Sequence, residues 1–227
     1  KIVSVSKYTA DTIFKLLNIK KEFSVIYNSV DSTLFDKSSI KFDEGLIIFA
    51  GTVKKAKGIE ELIQSMNTVF HQSSKASLVV AGKIPDLNGE SYEIYLRSFL
   101  KKEYQSRVKF LGILNREKEL IPLLAKAELC CFPSYVESFS LAPLEAMSLG
   151  KAVVFTELTS GPEAISHGVN GLLCNPKKPI DISEKILMIL EDETLRSKLE
   201  TNAKSEIKNR FSFEEWMNQN INLYNNI

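Results

Sequence analysis

Only two histidines and three cysteines occur in the 227 residues. His71 and His167 lie far apart and no C-x-x-C pair exists, so nothing is spaced as a structural zinc site. The cysteines are Cys130, Cys131 and Cys174. Their odd number, and the position of two within one apolar run, mark them as reduced core thiols of a cytosolic protein. No apolar run approaches the ~20 residues that a membrane-spanning helix needs; the best of them, Leu46–Ala50 and Ser77–Ala81, have the length of strands. An excess of either charge is also missing. Lys and Arg number 29 against 28 Asp and Glu, which gives no basis for an extended phosphate-binding surface, and nucleic acid is not an expected partner. Ten glycines and seven prolines are too few for a disordered or collagen-like chain. Neither an internal repeat nor a low-complexity tract is found.

The remaining composition is that of an α/β protein, 44% apolar and 25% charged, long enough to bury a core without covalent staples. The first residue is Lys1 rather than Met, and Ile2–Val5 is too short for the core of a signal peptide; a start inside an apolar strand reads as a trimmed fragment. Short β-branched runs predict strands at Ile2–Val5, Ser24–Tyr27, Gly45–Ala50, Ser77–Ala81, Val108–Leu111, Leu129–Phe132, Ala152–Phe155 and Gly171–Cys174. Most are apolar on both faces, as in a parallel sheet covered on both sides. Amphipathic segments at Ile59–Phe70, Tyr92–Tyr104, Glu117–Ala125 and Leu141–Leu149 alternate with them, which predicts βαβ crossovers and a doubly wound sheet. Ligands of such sheets bind at the carboxyl ends of the strands.

Two segments fit poorly into that domain. Asn28–Asp43 is polar and turn-rich and reads as a linker, preceded by one strand, one helix and one strand. Phe211–Ile227 has helical spacing through Phe213, Trp216, Met217, Ile221 and Tyr224, after a break near Asn209. The expected division is 1–36 as the remnant of a preceding domain plus hinge, 37–210 as the ligand-binding domain, and 211–227 as a helix packing on the preceding domain.

The richest stretch for chemistry runs from Phe132 to Gly150. Pro143 is tolerated only in the first turn of a helix, which places the start near Ser140, a good N-cap. Glu137 then lies in the preceding loop and Glu145 about a turn inside the helix. Backbone amides at Phe139–Leu141 stand at the positive end of the helix dipole and suit a phosphate. Carboxylates beside such a site suit hydroxyls instead. Phosphate plus polyol describes a nucleotide sugar or a similar ligand.

At these residues the chain resembles the retaining glycosyltransferase family 4, whose fold is GT-B and whose C-terminal half is a Rossmann-like donor-binding domain. Glu137 and Glu145 have that family's E-x7-E spacing. Glu145-Ala-Met-Ser-Leu-Gly150-Lys-Ala-Val-Val is similar to its EAM-x-x-G-x-PVV stretch. Gly161-Pro162-Glu163 and His167-Gly-Val-Asn170-Gly171 fit the later part. Gly51-Thr52-Val53-Lys54-Lys55-Ala56-Lys57-Gly58 resembles its phosphate loop, and Val25-Ile-Tyr-Asn28-Ser-Val-Asp31 its hinge.

The resemblance implies roles position by position. Glu145 grips the ribose and Glu137 faces the donor sugar. The amides of Phe139, Ser140 and Leu141 hold sugar oxygens and phosphate, while Lys57 neutralises the diphosphate leaving group. Leu114 contacts the base, and Gly51 and Thr52 belong to the phosphate loop. It also implies a hexosyltransferase that needs no metal or other cofactor, with a UDP-sugar expected ahead of a GDP-sugar. The acceptor is a saccharide or lipid-linked saccharide of cell-surface polysaccharide or glycolipid synthesis. The location is the cytoplasm, with peripheral attachment to the inner face of the membrane through the missing half. Without that half, this fragment is expected to be inactive.

Thr52 stands where the family usually has Arg, so one hydroxyl replaces a bidentate clamp; Lys54 or Lys55 could compensate. Ser138 and Ser140 replace common glycines. A non-catalytic binding subunit therefore stays open, as does a nucleotide-sugar 2-epimerase. Glu163 reads as a first-turn acid, and His167 as a helix C-terminal residue facing carbonyls.

Overall fold

Side chains alternate between the two faces of a strand, so runs that are apolar throughout need cover on both sides. The computed structural model describes residues 2–19, 21–35, 40–87 and 90–226. It opens with a small unit of β1 (Ile2–Ser4), α1 (Lys7–Leu16) and β2 (Phe23–Val25), whose strands pair in parallel with Ile2 opposite Phe23. The main sheet follows, built from β3 (Leu46–Ala50), β4 (Ser77–Ala81), β7 (Val108–Gly112), β8 (Leu129–Phe132), β9 (Ala152–Thr156) and β10 (Leu172–Cys174). Between β4 and β7 lies a small antiparallel ribbon, β5 (Asp86–Leu87) with β6 (Glu90–Ser91). The main strands are all parallel, in the order β10-β9-β8-β3-β4-β7. This is the expected doubly wound, Rossmann-like sheet, and its order reverses between β3 and β8.

The inner strands supply both layers of core, whereas the edge strand β7 supplies one, through Val108 and Phe110. Ile47 and Phe49 pack with Leu62, Ile63 and Met66 of α2 (Ile59–Gln72), Leu96 of α3 (Tyr92–Arg97) and Ile186 of α7 (Pro179–Glu191). Ile48 and Ala50 pack with Leu124 of α4 (Ile121–Lys126), Leu144 of α5 (Leu141–Ser148) and Ala203 and Ile207 of α8 (Glu193–Arg210). The adjacent Cys130 and Cys131 fall into opposite layers, both fully buried. The short α6 (Gly161–Ala164) follows β9, and α9 (Phe213–Asn225) closes the described chain. No helix among the described residues is long and apolar enough to cross a membrane.

Several expected elements are reshaped. Tyr92–Tyr104 is not one helix: α3 stops at Arg97, whose guanidinium turns back to donate to Gln105 O and Val108 O, and a 3-10 turn covers Lys102–Arg107. Glu117–Ala125 divides into a π turn at Arg116–Leu120 and then α4. Pro122 explains the wider turn, because its ring lacks an N–H and crowds the carbonyl one turn earlier. The break expected near Asn209 falls at Phe211, after α8. The boundary expected between residues 36 and 37 lies outside the described residues.

Candidate functional site

The loops leaving β3 and β8 meet where the strand order reverses, and there two of the candidate residues, Lys57 and Glu137, come together. Gly58 makes the meeting possible. Its backbone is left-handed (φ 68°), and a Cβ there would lie 1.8 Å from the Pro133 carbonyl oxygen. Tyr135 N–H donates to Ala56 O at 3.0 Å, tying the same two loops. Lys57 and Glu137, 80 residues apart in sequence, then form an ion pair at 2.6 Å. Ser134 Oγ donates to the same carboxylate oxygen at 2.8 Å. Behind Glu137, its N–H donates to Thr159 Oγ1 (3.2 Å) and its carbonyl accepts from Ser160 Oγ (3.2 Å). Thr159 holds a φ of 56°, a costly conformation for a β-branched residue and one that clusters at functional sites.

Glu145 sits inside α5 with 6% of its surface exposed, and Glu137 has 7%. Neither is a solvated surface acid. Arg116 reaches Glu145 Oε1 with Nε at 2.8 Å and a terminal nitrogen at 2.7 Å. Thus each buried carboxylate of the pair carries a cation from a different loop, Lys57 from after β3 and Arg116 from after β7.

Ser140 occupies the N-cap of α5, but its side chain makes no capping bond. Phe139 is buried and Leu141 exposed at that helix start. Gly51 follows β3 directly and Thr52 is exposed beside it. Lys54 and Lys55 line a separate hollow of about 330 Å³ with Glu60, Pro85, Tyr92 and Tyr95, and Lys55 lies 3.8 Å from Glu60. Leu114 is half-buried just beyond β7.

One expectation changes and another gains a partner. His167 is no helix-end donor to carbonyls: α6 has already ended, and His167 Nδ1 accepts the Leu173 N–H at 2.9 Å. Glu163 is in the first turn of α6, but its carboxylate is turned to α1, where it accepts two backbone N–H groups. Arg116, Ser134 and Thr159 were not legible as site residues. Arg116 lies in a run of charges, Arg116-Glu-Lys-Glu, where only the fold selects one; Ser134 and Thr159 act through loop geometry that spacing does not encode.

Comparison with known proteins agrees with the fold. The model of the family described as "Glycosyl transferases group 1" matches residues 30–206. An uncharacterized glycosyltransferase of Methanocaldococcus jannaschii is 29% identical over 98% of this chain and 59% of its own length. The N,N'-diacetylbacillosaminyl-diphospho-undecaprenol alpha-1,3-N-acetylgalactosaminyltransferase of Campylobacter jejuni is 30% identical over 82% of this chain and 46% of its own. The chain thus spans about half the length of these relatives. Among solved structures, Anabaena HepE in complex with UDP and glucose superposes with a TM-score of 0.81 at 22% identity, covering 99% of this chain and 62% of that one.

Proposed function

The chain belongs to the glycosyl transferases group 1 family, and from that premise we propose that it is the donor-binding part of a retaining enzyme of the family 4 type. In this reading the enzyme carries a hexose from a nucleotide diphosphate, UDP ahead of GDP, to a hydroxyl of a saccharide or lipid-linked saccharide. The observation that supports it most is the Lys57–Glu137 pair at the carboxyl edge of the sheet, where β3 and β8 diverge. Arg116, from the loop after β7, holds Glu145 on α5.

The chemistry assigned to these groups is electrostatic. Glu145 accepts hydrogen bonds from ribose hydroxyls, and Leu114 gives backbone contact to the base. Gly51, Thr52 and the amides of Phe139, Ser140 and Leu141 cradle the diphosphate and the sugar oxygens. Glu137 accepts from the sugar near its anomeric carbon. As the bond from that carbon to the phosphate oxygen breaks and the bond to the acceptor oxygen forms, the acceptor proton leaves with the diphosphate. Lys57 meets the charge that develops there, a large contribution in a site shielded from water. No metal is needed in this reading.

The adjoining half of the enzyme supplies the acceptor wall and any attachment to the inner face of the membrane. Residues 1–36 and 211–227 belong with that half. Exposed apolar side chains of α1 (Ile13, Leu16) and α9 (Phe213, Met217, Ile221, Tyr224) suit that assignment. Thr52 favours a second reading, a binding subunit that keeps the donor site and has lost turnover.

The test begins with this chain. UDP or GDP should raise its melting temperature without added metal, because binding to the folded state alone stabilises by ~2.7 kcal/mol at a hundredfold excess over Kd. No shift with either diphosphate or with a nucleotide sugar at millimolar concentration would end the donor-site assignment. Sugar transfer by the full-length protein then separates the enzyme from the binding subunit.

A further inference from the structure

One carboxylate near the site has no part in the chemistry proposed above. Glu163 belongs to α6, yet its oxygens are aimed at the start of α1. Oε2 accepts the Lys7 N–H at 2.8 Å and Oε1 accepts the Tyr8 N–H at 2.8 Å. These are two of the amides that a helix start leaves without partners. Ser6, the N-cap, takes a third from Thr9 at 3.1 Å. The first turn of α1 has no acid of its own, so the charge that complements its dipole comes from α6.

The same N-terminal unit also touches the loop that follows Glu137. Thr9 Oγ1 donates to Ser138 O at 3.3 Å, and Asn28 Nδ2 donates to Phe139 O at 2.8 Å. The Tyr27 ring packs on Phe139 with centroids 4.8 Å apart. Burial first, and then Glu163, push the Tyr27 phenol above its ordinary value. Thr159 and Ser160, just ahead of α6, hold the backbone of Glu137. The contacts close a circuit from α6 to α1, from α1 to the loop at 137–139, and back through Thr159 to α6.

We infer that Glu163 is a positioning residue, which fastens α1 and the Tyr27–Asn28 stretch onto the loop at 137–139 and so fixes where Glu137 stands. The link to sugar transfer rests on the donor-site reading; the mechanical joint does not. A cap that served α1 alone would leave the loop indifferent to Glu163.

Amide hydrogen exchange on this chain separates the two. In Glu163→Ala, segments 7–14 and 134–147 should lose protection together, by roughly 5- to 30-fold, the equivalent of a cap worth about 1–2 kcal/mol. Glu163→Gln, with one acceptor oxygen left, should fall between, and α7 should not change. Faster exchange in 7–14 alone would overturn the inference. If Glu163→Ala fails to fold, the Thr9→Ala, Asn28→Ala double variant cuts the joint from its other side. It should loosen 134–147 and leave 7–14 protected; an unchanged 134–147 would overturn the inference equally.

A second readout concerns the sugar. Glu163→Gln should weaken UDP-glucose more than UDP, because Glu137 is assigned to the sugar and Glu145 to the ribose. Equal weakening would reduce Glu163 to a stabilising residue. If the unaltered chain bound neither compound, the donor-site reading would fall, and the exchange result would still decide the joint.

Discussion

Lys57 and Arg116 each hold a buried carboxylate, and in the donor-site reading the ligand's diphosphate competes with Glu137 for Lys57. Lys57→Ala should therefore weaken UDP by about 10- to 100-fold, the value of one lost charged hydrogen bond, with little effect on uridine. Glu145→Ala should instead weaken UDP and uridine alike, since the ribose is common to both. Calorimetric titration of the four pairs checks this, and equal losses in Lys57→Ala would make Lys57 structural. Lys151 provides a contrasting case. It is 8% exposed, and burial, partly offset by the neighbouring Cys130 and Glu200, lowers its pKa. A base with a lowered folded pKa binds fewer protons folded than unfolded, so stability rises with pH between the folded and unfolded values. Below that window the charged ammonium costs stability. Lys151→Met should then be neutral or more stable at pH 7. Its advantage over the parent should shrink as pH climbs through the lowered pKa, as read from denaturant midpoints.

At the scale of elements, the β3–α2 connection shows how local geometry builds the site. Gly58→Ala forces a side chain into left-handed backbone, which costs about 1–2 kcal/mol, and drives a Cβ into Pro133 O. It should lower the urea midpoint and also weaken UDP, because Lys57 moves with the turn; a midpoint change with UDP affinity intact would refute the coupling. The Lys57-Gly58 pair was legible in the sequence by its resemblance, whereas the reason for the glycine is a contact 75 residues away. The strands of the main sheet were legible almost to the residue, since burial by helices leaves apolar runs, whereas the ribbon of β5 and β6 was not. Nor was α8. Its buried stripe is only Arg196, Leu199, Ala203 and Ile207, too thin a pattern to distinguish from a polar linker before the sheet supplies its partner. The Arg116 fork and the Glu163 joint were hidden for a related reason: each depends on which loops the crossovers bring together.

Across the whole molecule, one sheet separates two cores that share no side chain, and the candidate site lies at the edge where their loops meet. The two adjacent cysteines of β8 lie one in each core. Burial pushes Cys130 up to about 12 and Cys131 well above its ordinary value, so neither presents a thiolate near neutral pH. The protein thus contains a matched pair of kinetic reporters, separated by one peptide bond and assigned to opposite faces. With an alkylating reagent at pH 8, each should react only when its own layer opens, and mass spectrometry can resolve which of the two has been modified. Equal labelling rates would mean that both layers open in one cooperative event. Faster labelling at Cys130 would instead locate the weaker side of the molecule in the α4–α5–α8 layer, the one that carries the start of Glu145's helix. Labelling repeated with UDP present would then report which layer a ligand tightens.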